Sequence, residues 1–63
     1  MKRTLKSIRA DMGMTQDEMA KRLGISKASY NKRETGKRPL LARELLQISV
    51  MSNIPCESIE IPL

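Results

Sequence analysis

The chain has 63 residues, with twelve basic and seven acidic side chains and a formal net charge of +5. It contains one cysteine and no histidine, which excludes an internal disulfide and the common zinc-ligand sets. No apolar run approaches the ~18 residues of a membrane span, so we expect no transmembrane segment. A lone thiol is typical of a reducing compartment, which favours a cytoplasmic location.

Basic residues are concentrated in the first part of the chain. Residues 1–38 hold eleven basic and four acidic side chains, whereas residues 39–63 hold one basic and three acidic. This asymmetry indicates one half that faces a polyanion and a second half with another task. A solvated surface that keeps the protein soluble explains the same composition, so the spacing of the residues has to decide.

Glycine and proline divide the chain into short helical segments. The first predicted helix runs roughly over residues 4–12, where Leu5, Ile8 and Met12 form one apolar stripe at i, i+3 and i+7. Gly13 then ends this helix, because glycine readily adopts the left-handed conformation of a C-terminal cap.

The second predicted helix has a well-specified beginning. Thr15-Gln16-Asp17-Glu18 is a capping box, in which the Thr15 hydroxyl accepts from the backbone of Glu18 and the Glu18 carboxylate accepts from the backbone of Thr15. The predicted buried face consists of Met19, Ala20 and Leu23. Gly24 ends the helix.

The third predicted helix follows closely after the second. Ser26 caps it, and it continues to about Thr35 before Gly36. Only three residues, Gly24-Ile25-Ser26, separate the two helices. A link this short predicts a sharp helix crossing.

The fourth predicted helix opens near Pro39 and ends around residues 52–53. A short fifth helix or turn follows over residues 55–59, and strand signals are weak except at residues 59–61. We therefore expect an all-α fold, a compact bundle of four to five short helices that forms a single domain over residues 1–63.

A helix-turn-helix pattern extends through the first three segments. It consists of Arg9, Thr15, Gln16, Ala20, Gly24, Ile25, Ser26, Tyr30, Glu34 and Gly36. The sequence resembles the Cro/C1-type (XRE) helix-turn-helix family of phage and bacterial transcriptional regulators over about residues 4–59. The resemblance implies a lambda-repressor-like domain whose third helix enters the major groove of DNA.

The third helix presents a polar face opposite its inward side. Tyr30, Arg33 and Glu34 define the inward side, and the predicted outward residues are Lys27, Ala28, Asn31 and Lys32. Lysine and asparagine donate to base edges in the major groove, and an alanine methyl contacts thymine. The resemblance implies that Lys27, Ala28 and Lys32 face the bases. Asn31 is the next candidate for a base contact.

Further predicted DNA contacts surround this helix. The predicted set adds Thr15, Gln16, Ser26, Lys37 and Arg38. By resemblance, Thr15 and Gln16 bind phosphates at the start of the second helix, and Lys37 and Arg38 flank the duplex on the other side. The alternatives are pure capping for Thr15 and a solvated loop for the two basic residues.

The resemblance also pairs Arg9 with Glu34 as a partly buried ion pair that aligns the third helix. Arg33 departs from the family pattern, since many relatives have an apolar residue there. Its stem can lie along the edge of the core with the charge in water, or its guanidinium can reach a phosphate.

The fourth helix is apolar on more than one side. Leu41, Leu45 and Ile48 form one ridge, whereas Leu46 and Val50 lie elsewhere on the helix. A surface helix normally buries a single stripe. Either the C-terminal segment covers the excess, or a second copy does so in a homodimer, which is our expectation because family members read paired half-sites.

These patterns predict a sequence-specific double-stranded DNA-binding regulator of the phage repressor or Cro type, acting by operator occupancy. The alternative is a protein-interaction module with the same fold, such as an antitoxin-like or phage accessory protein. An enzyme is not expected, because the chain has no histidine base, metal set or glycine-rich phosphate loop. We expect no cofactor, small-molecule ligand or membrane partner.

Overall fold

The computed structural model describes residues 2–62 and confirms the all-α prediction. Its elements are α1 (Leu5–Asp11), α2 (Gln16–Leu23), α3 (Lys27–Thr35), α4 (Ala42–Ser52) and a 3₁₀ turn at Cys56–Ser58. No helix within this range is long and apolar enough to cross a membrane.

The first three helices begin and end where their caps predict. The hydroxyls of Thr4, Thr15 and Ser26 each accept a backbone N–H three residues later at 3.1 Å. The capping box of α2 is complete, because the Thr15 N–H donates to Glu18 Oε1 at 2.9 Å. These side chains satisfy N–H groups that have no partner inside the helix.

The start of α4 differs from the prediction. The helix begins at Ala42, not near Pro39; residues 39–41 lie outside it, and the backbone of Leu41 is extended. Leu40 packs against the core, and the Leu41 N–H donates to Glu44 Oε1 at 2.9 Å. The side chain of Glu44 thus caps the helix at Leu41. The first helical residue, Ala42, comes three positions after Pro39, where the preference of proline for helix starts predicts it.

The C-terminal segment forms a turn and a single bridge instead of a strand. Arg3 and Ile59 form a parallel bridge, in which the Arg3 N–H donates to the Ser58 carbonyl at 2.8 Å and the Glu60 N–H to the Arg3 carbonyl at 2.7 Å. The alternating pattern at residues 59–61 therefore yields one isolated bridge within residues 2–62. It places Ile59 in the core, where it is 1% exposed.

One core joins all the elements. Its buried apolar members are Leu5, Ile8, Met19, Ala20, Leu23, Tyr30, Ile48 and Ile59. The most extensive contact is between α2 and α3. Yet α3 contributes only Tyr30 to this core, so polar contacts must supply the rest of its attachment.

Candidate nucleic-acid interface

The turn between α2 and α3 is closed by backbone hydrogen bonds. Gly24 adopts φ +72°, its N–H donates to the Lys21 carbonyl at 3.2 Å, and the Ile25 N–H donates to the Ala20 carbonyl at 3.0 Å. Ala20 is buried against the core. The two helices therefore form a rigid corner at the predicted position.

The outward face of α3 is open to solvent. Lys27, Ala28, Asn31 and Lys32 are all exposed, while Tyr30 on the opposite side is fully buried. Two ammonium groups, an amide and a methyl are therefore displayed along one side of a nine-residue helix. Ammonium, amide and methyl groups are side-chain groups that can contact base edges in a major groove.

The predicted pair of Arg9 and Glu34 is confirmed. Arg9 Nε lies 3.0 Å from Glu34 Oε2 and Nη2 lies 3.3 Å from Oε1, with side chains 15% and 7% exposed. Arg9 Nη1 also donates to the Met14 carbonyl at 2.9 Å. One guanidinium thus fixes α1, the α1–α2 turn and α3 relative to one another.

Gln16 extends this pair to the outward face. Its Nε2 donates to Glu34 Oε1 at 3.0 Å, and its Oε1 accepts from Asn31 Nδ2 at 3.3 Å. The amide is therefore oriented by protein partners, and one N–H of Nε2 is left for another acceptor. Among the predicted DNA contacts, the structure brings Gln16 and Asn31 directly together.

The side chains around Glu34, which include Arg9 and Gln16, favour its ionised form. Burial opposes its ionisation, but the hydrogen bonds from Arg9 and Gln16 and the charge of Arg9 outweigh that effect and hold the pKa of Glu34 below its ordinary value of 4.5. Burial, followed by the neighbouring Glu34 carboxylate, raises the pKa of the Tyr30 hydroxyl. The cluster is therefore one cation and one anion at neutral pH.

The remaining predicted contacts lie around α3. The hydroxyls of Thr15 and Ser26 both accept in their caps, and the Ser26 hydroxyl also donates to Ser29 Oγ at 3.0 Å, so of these two hydroxyls only that of Thr15 keeps its donor for another acceptor. Lys37 and Arg38 are exposed in the loop after α3, and their backbone N–H groups both donate to the Lys32 carbonyl, at 2.9 and 3.2 Å. These two hydrogen bonds hold the backbone of the loop at the C-terminal end of α3.

Arg33 takes neither of the two positions expected for it. Its Nε donates to Glu44 Oε1 at 2.7 Å, its side chain is 16% exposed, and the Glu44 side chain is fully buried. The sequence holds no signal for this pair, because the two residues are eleven positions apart and the loop between them has no local pattern that fixes its path.

The helix-turn-helix family model matches residues 5–55 of the chain. The chain belongs to the Cro/C1-type helix-turn-helix family. It is accordingly a DNA-binding helix-turn-helix regulator with double-stranded DNA as partner. No curated protein and no solved structure matches the chain significantly.

Proposed function

We propose that this family member is a sequence-specific transcriptional regulator of the phage repressor or Cro type. It reads the major groove with α3 and acts by occupying an operator. The observation that supports this most is the exposed face of Lys27, Ala28, Asn31 and Lys32 on a helix whose opposite side is fixed by buried Tyr30. A rigid helix with exposed donors provides the fixed geometry that base readout needs.

Phosphate contacts complete the proposal. Thr15 and Gln16 lie at the start of α2, and Lys37 and Arg38 extend the basic surface beyond α3. These groups set the position of the protein on the duplex but carry no sequence information. The free thiol of Cys56 agrees with action in the cytoplasm.

Selection of bound duplexes from a random pool tests sequence specificity. We expect a two-fold symmetric consensus, and we expect a gel shift with that consensus to resist random competitor DNA. If no duplex outcompetes random DNA, the protein is not a sequence-specific regulator.

A protein-interaction module is the second candidate, because α4 exposes apolar side chains. Leu46 is 58% exposed and Val50 is 81% exposed. Salt dependence separates the two functions: log K for DNA falls with log salt concentration by about 0.9 per neutralised phosphate. A flat salt response in DNA binding would favour a protein partner.

The same apolar side chains support a homodimer. A shallow groove of about 360 Å³ is lined by Leu46, Gln47, Val50 and Met51, none of which is charged. Residues 1–38 carry the basic excess, so two copies would repel one another through that half and meet with least repulsion through α4. We infer that two copies pair through this groove on adjacent half-sites. Because only four residues line the groove, the pairing is expected to be weak without DNA.

A further inference from the structure

Two ion pairs attach helix α3 to the rest of the fold, beside its one buried residue. Tyr30 is its only buried residue, whereas α2 buries three. The consecutive residues Arg33 and Glu34 have opposite charges and are only 16% and 7% exposed. Glu34 pairs with Arg9 of α1, and Arg33 pairs with Glu44 of α4.

Glu44 joins three parts of the chain at one oxygen. Its Oε1 accepts from Arg33 Nε at 2.7 Å and from the Leu41 N–H at 2.9 Å, and Arg33 Nη1 donates to the Ser29 carbonyl at 3.2 Å. The other oxygen, Oε2, has no hydrogen-bond partner among the described residues. This carboxylate is therefore fully buried but only half satisfied.

Capping α4 does not explain the burial of Glu44. Glu18 has the same position in α2, where its carboxylate accepts the cap N–H at 2.9 Å while the residue stays exposed. An exposed carboxylate caps a helix without losing its hydration. What Glu44 has in addition is Arg33, and a buried ion pair is weak evidence for stability. The pair therefore calls for a role other than capping.

Two ion pairs on consecutive residues restrict the rotation of α3. Neighbouring side chains project about 100° apart around a helix. Turning α3 in either direction about its axis lengthens the contact to α1 or the contact to α4. The same rotation decides which side chains, among them Lys27 and Lys32, face outward.

We propose that Arg33 and Glu44 are positioning residues that set the rotation of α3 and tie it to the loop of residues 36–41. This inference rests on the proposed DNA-reading function. The loop carries Lys37 and Arg38, and Glu44 contacts the chain at both ends of this loop. It pairs with Arg33 of the preceding helix α3, and it accepts from the N–H of Leu41, the last residue of the loop. Base-facing and phosphate-facing groups are thereby fixed in one arrangement.

A double substitution separates positioning from stability. Arg33→Met with Glu44→Leu removes both charges and keeps the apolar volume, a change that is often neutral or stabilising for buried pairs. We expect a thermal unfolding midpoint close to that of the parent chain, because the loss of the acceptor for the Leu41 N–H offsets the gain from removing the buried charges. The ratio of specific to non-specific DNA affinity should fall by about tenfold, comparable to the loss of one well-read base pair.

A single substitution provides a second measurement if the double variant is unstable. Glu44→Gln keeps an oxygen for the Leu41 N–H but removes the charge that holds Arg33, and Glu57→Gln is the control with the same change in net charge at an exposed position. We expect a lower affinity ratio for Glu44→Gln alone. A folded Glu44 variant with the parent's ratio would overturn the inference. If the parent chain itself shows no duplex preference, the proposed function fails instead.

Discussion

Lys32 is the side chain whose replacement best tests base reading. Lys32→Ala should relax the selected consensus at one position per half-site, at a cost of about 1–3 kcal/mol in specific binding. Lys6→Ala removes the same charge from an exposed position on α1 and serves as the control. Repeating the duplex selection with both variants measures the effect. A uniform loss across all sequences with Lys32→Ala would assign this lysine to phosphate contact.

We expect protonation of Glu34 to destabilise the folded protein at acid pH. Its pKa in the folded state is below 4.5, so its stabilising contribution is fully present above that pH and is lost as the pH falls through the folded-state pKa. Glu34→Gln removes this titration, and the thermal midpoint of the variant should fall less between pH 7 and acid pH than that of the parent. Thermal unfolding followed by circular dichroism over this range measures it. Equal slopes for the two proteins would contradict the assignment.

At the scale of the elements, the left-handed backbone conformation of the turn between α2 and α3 favours glycine at Gly24. Its φ is +72°, and an added Cβ would meet nothing within 4 Å. Gly24→Ala should therefore cost only the left-handed strain, about 1–2 kcal/mol. Gly24→Asn should cost less, since asparagine tolerates this conformation. Chemical denaturation of both variants provides the comparison, and an alanine variant as stable as the parent would contradict it.

Local chemistry made most of the fold predictable. The Thr15 capping box, the Ser26 cap and Gly24 each act within a few residues. Their effects on the helix ends can therefore be predicted from the sequence. The start of α4 was not predictable from proline alone. It depends on Leu40 packing against the core and on Glu44 closing the turn, and both require the tertiary arrangement.

Part of the geometry of the candidate site was predictable as well. The outward face of α3 follows from helical spacing around Tyr30, and the Arg9–Glu34 pair follows from the family resemblance. The hydrogen bonds of Gln16 to Glu34 and Asn31, and the pairing of Arg33 with Glu44, join residues eleven to eighteen positions apart. No local pattern encodes these contacts.

At the scale of the whole molecule, pairing of two copies through α4 is open to test. Val50→Glu places a charge in the groove and should abolish the gain in affinity that a duplex with two half-sites has over one with a single half-site. Ala42→Glu is the control, because it adds the same charge on an exposed first-turn position of the same helix. Gel shifts with both duplexes measure the gain. A gain unchanged by Val50→Glu would place the interface elsewhere.

Tyr30 is the only aromatic residue of the chain and is wholly enclosed where α3 meets the core. The protein thus carries a single aromatic chromophore, located within α3. Its near-ultraviolet absorbance and phenolic emission respond to detachment of α3 without interference from tryptophan and without an attached label. A stopped-flow trace at these wavelengths would follow the undocking of this one helix in real time.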